Sequence, residues 1–137
     1  MIESHVEEAM LAWLAQLGYV TAFGPDVEPE RLGAERDDFT EVVLSRRLRA
    51  ALESINPQLP SSAIDDAMKR VLAPDSPDLV ENNHRFHRML VDGIDVEYTR
   101  TDGSIAGDKA WLVDFDDVDA NHWLAVNQFT VKEGRTT

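Results

Sequence analysis

The spacing of apolar residues changes along the chain from a helical period to a strand period. Residues 1–93 carry mainly helical patterns, whereas Ile94, Val96 and Tyr98 alternate with polar residues. A turn at Thr101-Asp102-Gly103 follows, and two more strands are predicted at 110–115 and 123–131. The pattern therefore predicts an α+β fold, in which a helical first half packs on a small antiparallel sheet formed within residues 94–137.

The first helix is predicted to end at Gly18, which is suited to a helix C-terminus. Its apolar positions form one stripe that is expected to face the core. That stripe consists of Val6, Met10, Trp13, Leu14 and Leu17. A short strand is predicted at 19–23. Gly24-Pro25 breaks it, and the acidic segment 26–36 is typical of a loop.

Capping residues indicate the bounds of three further helices. Asp38 with Glu41 predicts a helix that runs to Ile55, and Ser62 with Asp65 predicts one that ends near Ala73. Ser76, followed by proline, predicts a fourth that ends at Gly93. Its inward positions are expected to be Leu79, Val80, Phe86 and Leu90. The three tryptophans, Trp13, Trp111 and Trp123, are expected in the core.

Composition narrows the class of protein. With 137 residues the chain is one domain or less, and it is long enough to bury a core. The absence of cysteine excludes disulfides and zinc–thiolate sites. The N-terminal residues do not show a signal-peptide pattern, and no apolar run approaches the roughly 20 residues that span a bilayer. A cytoplasmic protein without a membrane partner is expected.

The formal net charge of −13 argues against strong autonomous DNA binding, because affinity for duplex DNA comes mainly from cations that displace counterions. The densest basic cluster is Arg46, Arg47 and Arg49. Arg46 and Arg49 lie on one helix face and are candidate contacts to the DNA backbone. The alternative is a solvated face that pairs with nearby acids such as Glu53.

Several segments together resemble a known family. Leu79–Arg88, Leu112–Asp116 and Val126–Val131, with Leu17-Gly18-Tyr19 near the start, follow the order and spacing of the N-terminal region of the restriction (R, or HsdR) subunit of type I restriction-modification enzymes. The resemblance implies that residues 1–137 form the N-terminal part of an endonuclease domain of the PD-(D/E)xK class. It also implies a parent enzyme that uses Mg²⁺ and ATP, cleaves foreign DNA, and works with modification and specificity subunits.

The motif that completes such a nuclease site is not found in these 137 residues. Two positions before Lys69, Lys109 and Lys132 stand alanine, glycine and threonine, so there is no acidic-x-Lys triplet. The Pro-Asp pairs fall in predicted loops or caps, where they are ordinary turn chemistry. The chain alone is therefore expected to be catalytically incomplete and to hold neither Mg²⁺ nor ATP.

Glu7 is the candidate catalytic residue. The resemblance implies a glutamate on the helix before Gly18-Tyr19 that joins the nuclease site, and Glu7 matches it by position. Hard divalent cations prefer such oxygen ligands. The alternative is an acid near a helix N-terminus that is stabilised by the helix dipole, an interpretation that Glu3 and Glu8 share.

Other candidate metal sites are weaker. The acids at 114–119 do not fit an EF-hand, because Asp119 stands where glycine is needed and Ala125 where glutamate is needed. His84 and His87 have a spacing that suits a shared metal, but neighbouring arginines favour a solvated or phosphate-facing surface. No metal site is predicted from these residues. Asn82-Asn83 is interpreted as structural.

Two functional alternatives stay open. One is a non-catalytic interaction module that docks the restriction subunit onto its modification partner, and the other is a free-standing cytoplasmic protein. A cleft converging on Glu7 would favour the nuclease role, and an exposed apolar patch would favour docking. The uncharged segment 123–131 also predicts an open sheet edge, through which the chain would form an antiparallel homodimer.

Overall fold

A computed structural model gives the structure of the chain and describes residues 3–39, 41–73 and 76–132. The helices and strands, in chain order, are α1 (Glu3–Gln16), β1 (Val20–Phe23), α2 (Ser45–Ile55), α3 (Ser61–Leu72), α4 (Leu79–Asp92), β2 (Ile94–Thr99), β3 (Ile105–Ala110) and β4 (Leu124–Asn127). Short 3₁₀ turns occupy Gly24–Val27 and Val118–Ala120. The predicted α+β class is confirmed. No helix of the described ranges is both long and apolar enough to cross a membrane.

The strands form two separate two-stranded sheets. β2 and β3 are the predicted antiparallel hairpin, with Ile94 opposite Ala110. β4 differs from the prediction, since it pairs in parallel with β1, with Phe23 opposite Asn127. Parallel pairing needs a long crossover connection, and the chain between β1 and β4 supplies one.

The contacts divide the chain into two compact units. The first contains residues 1–46 and 122–137, and therefore α1, β1 and β4. The second contains residues 47–121, with α3, α4 and the hairpin. Its core is an apolar cluster in which Leu52, Ile64, Val96 and Ala110 are almost completely buried.

The predicted strand at 110–115 is displaced, because β3 ends at Ala110. The cause is the buried side chain of Asn56, which follows the last residue of α2. Its Oδ1 accepts from the backbone N–H of Trp111 at 2.7 Å, and its Nδ2 donates to the Trp111 carbonyl at 2.9 Å. This side chain occupies both backbone groups of Trp111, which a continuing strand would need.

The helix predicted from Asp38 begins only at Ser45. The guanidinium of Arg36 explains the difference, since it donates to the carbonyls of Phe39 (3.2 Å) and Glu41 (2.7 Å). Local hydrogen bonds from a side chain to the backbone compete with helix formation and hold these carbonyls in an irregular path. Residues 41–44 are accordingly irregular.

The bounds of α3 and α4 lie close to their predictions, but the cap and the inward face of α4 do not. The N-cap is Asp78 instead of Ser76, and its side chain accepts from the N–H of Val80. Leu79, Val80 and Phe86, predicted inward, are exposed, whereas Leu90 is half-buried. The buried residue of α4 is Met89, so the inward face is rotated by one position along the helix. Gly93 ends the helix as predicted.

The apolar stripe of α1 is also not buried. The parallel strand pair covers one side of this helix, and the half-buried positions there are Glu7, Leu11 and Leu14. The rest of the predicted stripe is exposed: Val6 at 44%, Met10 at 52%, Trp13 at 64% and Leu17 at 76%. α1 therefore presents an apolar face to solvent.

The tryptophans are less buried than predicted and do not share a sheet. Trp111 is 37% exposed and lies beyond the end of β3. Trp123 is half-buried, precedes β4, and packs its ring against Tyr19 with the ring centroids 5.5 Å apart. Only Trp123 supports the first unit through a ring contact of this kind within the described residues.

Candidate functional site

Glu7 reaches from α1 to the end of β4. Its carboxylate accepts hydrogen bonds from Nε2 of Gln128, at 2.8 and 3.0 Å, and from Nδ2 of Asn127, at 3.2 Å. These partners lie about 120 positions away in sequence. Two neutral amides therefore fix both oxygens of one carboxylate at the point where the parallel strands end.

The backbone at Gln128 places the two amide side chains together. Successive side chains of a strand point to opposite faces, so Asn127 and Gln128 would normally diverge. Gln128 instead has a φ of +54°, in the left-handed region, and β4 stops before it. This turn of the chain directs both amides to Glu7.

The close approach of two backbones also shapes this end of the sheet. Gly24 is buried directly after β1, and a Cβ built on it would lie 1.9 Å from the carbonyl oxygen of Gln128. The same Cβ would lie 2.6 Å from the carbonyl oxygen of Asn127. Only glycine fits this position while the end of β4 keeps its place.

Arg36 holds the segment that follows Gln128. Its side chain is 98% buried, since only 2% is exposed, and its guanidinium donates to the Thr130 carbonyl. The guanidinium carbon also lies 4.0 Å from the centre of the Phe129 ring. These hydrogen bonds and the ring contact offset the cost of burying the charge, although Nε of Arg36 is buried without a partner among the described residues. Arg36 therefore fixes the path of the chain as it leaves the site.

Lys132 belongs to the same arrangement. Its backbone N–H donates to the carbonyl of Phe39 at 3.0 Å, and its Nζ lies 4.2 Å above the Phe39 ring. The segment 129–132 is thus joined to Arg36 and Phe39 by both backbone and side-chain contacts. The sequence did not indicate this role for Arg36, Phe39 or Lys132.

The position of Glu7 within α1 separates it from the other acids of this helix. Glu3 lies in the first turn, whereas Glu7 lies beyond it, where the effect of the helix dipole has decayed. Glu8 is exposed. The specific hydrogen bonds to Glu7 therefore account for its position better than the dipole does.

The two candidate DNA-binding arginines lie in ion pairs. Arg46 lies 3.4 Å from Asp37, and both side chains are largely exposed. Arg49 pairs with Glu53 at 3.1 Å and with Asp65 at 2.7 Å, and the hydrogen bond with Asp65 raises the pKa of Arg49 above its ordinary value. Exposed pairs of this kind are weak, so they compete only modestly with a phosphate group. A DNA contact through these arginines stays a prediction.

The other candidate metal ligands are placed apart or used structurally. Asp114 accepts from the backbone N–H groups of Asp116 and Asp117, at 3.0 and 2.9 Å, which is ordinary turn geometry. In the parts of the chain that the structure describes, no three histidine or acidic side chains are close enough to hold a metal ion. His84 and His87 are exposed on α4. Asn82 is structural, as predicted, since its amide bonds both backbone groups of Ser76.

Comparisons with known proteins identify the family. The model of the family described as type I restriction enzyme R protein N terminus matches residues 1–137. The chain belongs to this family.

Two relatives show how much of a longer protein the chain corresponds to. The chain is 36% identical over 130 residues to the type I restriction enzyme HindI endonuclease subunit of Haemophilus influenzae, which covers 95% of this chain and 12% of that subunit. It is 31% identical over 127 residues to a putative type I restriction enzyme MjaIXP endonuclease subunit of Methanocaldococcus jannaschii, covering 93% of this chain and 12% of the relative. The chain thus spans about one eighth of these relatives' length. No solved structure matches the chain.

Proposed function

We propose that this chain is the N-terminal part of the restriction subunit of a type I restriction-modification system and contributes to the Mg²⁺-dependent cleavage of foreign DNA. In this role it supplies a scaffold and one carboxylate, Glu7, to a nuclease site of the PD-(D/E)xK class. The rest of that site, the ATP-driven motor and the contacts to modification and specificity subunits belong to the remainder of the subunit. The proposal places the protein in the cytoplasm.

The observation that carries the proposal is the fixed carboxylate of Glu7 at the end of two parallel strands. Hydrogen bonds from Asn127 and Gln128 orient both of its oxygens without neutralising its charge. A carboxylate held in this way fits the oxygen ligands that Mg²⁺ prefers. The Oδ1 atom of Asn127 is buried and lacks a hydrogen-bond partner among the described residues, so it is a second oxygen available there.

The chemistry expected of these groups is limited. Mg²⁺, when bound, would activate a water molecule and stabilise charge on the phosphate. Glu7 would hold the cation or one of its waters, and the two amides would keep the carboxylate in place. The support for this proposal is the geometry of these three side chains together with the family.

Glu7→Gln in the intact restriction subunit tests the proposal. We expect the rate of DNA cleavage to fall about tenfold to a hundredfold, the usual effect of removing a residue that supports a metal site. Glu8→Gln is the matched control, because Glu8 is the next residue on the same helix and is exposed. Single-turnover cleavage of a plasmid in the assembled enzyme gives the rates. Equal rates for the two variants would exclude Glu7 from the site.

The 137-residue chain alone is expected to leave plasmid DNA intact in Mg²⁺. The reason is that its described carboxylates do not converge into a set of three and it has no acidic-x-Lys triplet. Gel electrophoresis after prolonged incubation measures this. Nicking that depends on Mg²⁺ and disappears in Glu7→Gln would show that the chain holds a complete site.

A non-catalytic docking module is the second candidate function. The exposed apolar face of α1, with Trp13 at 64% exposure, favours it. If the chain is only a docking module, Glu7→Gln should leave the rate of DNA cleavage unchanged.

We also propose that the first unit forms a homodimer through the free edge of β4. Residues 123–131 carry no charge, and an uncharged strand edge can pair with another chain.

A further inference from the structure

We propose that a groove between α3 and α4, in the second unit, binds phosphate groups of a nucleic acid backbone. The groove has a volume of about 820 Å³, and its lining also includes the start of β2 and Lys109 of β3. All of its lining residues belong to the second unit, whereas Glu7 belongs to the first. The inference rests on the proposed function, because that function makes a nucleic acid the ligand.

The residues that line the groove have a different charge balance from the chain as a whole. The chain has 13 basic and 26 acidic residues, and five of the basic ones line this groove. They are Lys69, Arg70, Arg85, Arg88 and Lys109. Four acidic residues also line it, so the local balance is slightly positive in a chain whose net charge is −13. Such a reversal of sign is a local feature of the surface and not a consequence of composition.

Two of the acidic residues are already neutralised. Asp66 pairs with Arg70 one helical turn later at 3.3 Å, and Asp95 pairs with Lys109 across the hairpin at 2.9 Å. The side chain of Arg85 is fixed as well, since it donates to the carbonyls of Arg70 (2.9 Å) and Ala73. These contacts cover the negative C-terminal end of α3 with a cation.

Lys69 and Arg88 remain as cations that are not committed to an ion pair within the described residues. Lys69 lies in the last turn of α3 and Arg88 lies on α4, so they face the groove from two elements. His84 lies one turn before Arg88 and adds a ring N–H donor. Two cations and a donor converging from two helices match the oxygens of a phosphate group.

Glu81 and Asp92 oppose this binding and limit its strength. Both line the groove without an ion pair in the described part of the chain. A multivalent nucleic acid strand is therefore favoured over a single free phosphate, since it presents several phosphates to the groove and to the cations near it.

The test is binding of a fluorescent single-stranded oligonucleotide to the 137-residue chain at low salt, measured by anisotropy. Two phosphate contacts predict a log–log slope of affinity against salt of about −1.4. Lys69→Gln and Arg88→Gln are each expected to weaken binding at least about threefold and to reduce the size of the slope by about 0.7. Amide shifts in an NMR titration should fall on the last turn of α3 and on α4.

Matched variants distinguish binding in the groove from a general effect of the chain's overall charge. Arg31→Gln removes one positive charge at an exposed position outside the groove and should leave affinity nearly unchanged. Asp92→Asn and Glu81→Gln should strengthen binding about threefold, because they remove the opposing charges. Asp119→Asn, an exposed acid elsewhere, should not.

Several results would overturn the inference. If Arg31→Gln and Arg88→Gln lost the same amount of affinity for the oligonucleotide, binding would depend on the overall charge of the chain and not on the groove. Shifts with inorganic phosphate but no binding of the oligonucleotide would make the ligand a free anion. Groove variants that bind like the unaltered chain, while Glu7→Gln has lost cleavage in the intact subunit, would reject the groove and leave the proposed function standing.

Discussion

Arg36→Ala is expected to lower the free energy of unfolding by about 3 kcal/mol, because it leaves two partly buried carbonyls without a donor at about 1–3 kcal/mol each. The carbonyl oxygens of Glu41 and Thr130 lose this donor, whereas that of Phe39 keeps the backbone N–H of Lys132. The stacking on Phe129 is lost as well. A change of this size is a large share of the stability of an ordinary domain.

Urea denaturation followed by far-UV circular dichroism measures the effect. Arg31→Ala is the matched control, because it removes the same side chain from an exposed position and should cost no more than about 0.5 kcal/mol. Arg36→Met keeps much of the packing but none of the hydrogen-bond donors, so its free energy of unfolding should be close to that of Arg36→Ala. If Arg36→Met resembled the unaltered chain, the hydrogen bonds would not be what stabilises this segment.

The parts of the fold that the sequence predicted are those set by local chemistry. The hairpin turn at Thr101-Asp102-Gly103 lies between β2 and β3, and Gly93 ends α4. Glycine in these places has a positive φ, 89° at Gly103 and 78° at Gly93, which the residue type itself favours. Such signals are complete within a few residues and need no knowledge of the partner.

The parts that were not predicted depend on distant partners. Alternation of apolar residues at 123–131 indicated a strand but contains no information on which strand it joins, and β4 pairs with β1 about a hundred positions earlier. The apolar face of α1 likewise indicated burial, although the described structure leaves Val6 and Met10 exposed. Hydrophobic periodicity shows which face of a helix is apolar, but it does not show which other element covers that face.

Asparagine side chains explain a further group of differences. Asn56, Asn82 and Asn121 each form hydrogen bonds with both the N–H and the C=O of one other residue, which is Trp111, Ser76 and Asp114, at 55, 6 and 7 positions away. Each amide therefore imitates one step of an antiparallel strand pair and fixes an irregular segment. The sequence indicated a structural role for Asn82, but it gave no such signal for Asn56 or Asn121, because asparagine more often marks a turn or a helix end.

The candidate site was predicted in part. The resemblance to the family indicated Glu7, and Asn127 and Gln128 lie within Val126–Val131, one of the segments that carry that resemblance. Their contact with Glu7, however, joins residues 120 and 121 positions apart. Neither Arg36 nor Gly24 carried a sequence signal for the site. Both act by fixing the backbone around Gln128, an effect that depends on the positive φ of that residue.

Gly24→Ala is expected to lower the free energy of unfolding by about 3 kcal/mol, at the upper end of the usual cost of overpacking. The added methyl would lie 1.9 Å from the carbonyl oxygen of Gln128, so the end of β4 must move away from β1. That shift would also draw the amides of Asn127 and Gln128 away from Glu7. The side-chain amide resonances of these two residues should therefore change together.

Gly107→Ala is the control for Gly24→Ala, since a Cβ at Gly107 in β3 would meet no atom within 4 Å. This variant should be neutral or slightly more stable, because alanine restricts the unfolded chain more than glycine does. Urea denaturation of both variants gives the free energies, and NMR of the side-chain amides reports on the contact with Glu7. If Gly24→Ala matched Gly107→Ala in both measurements, the close approach of the two strand ends would not be required for the site.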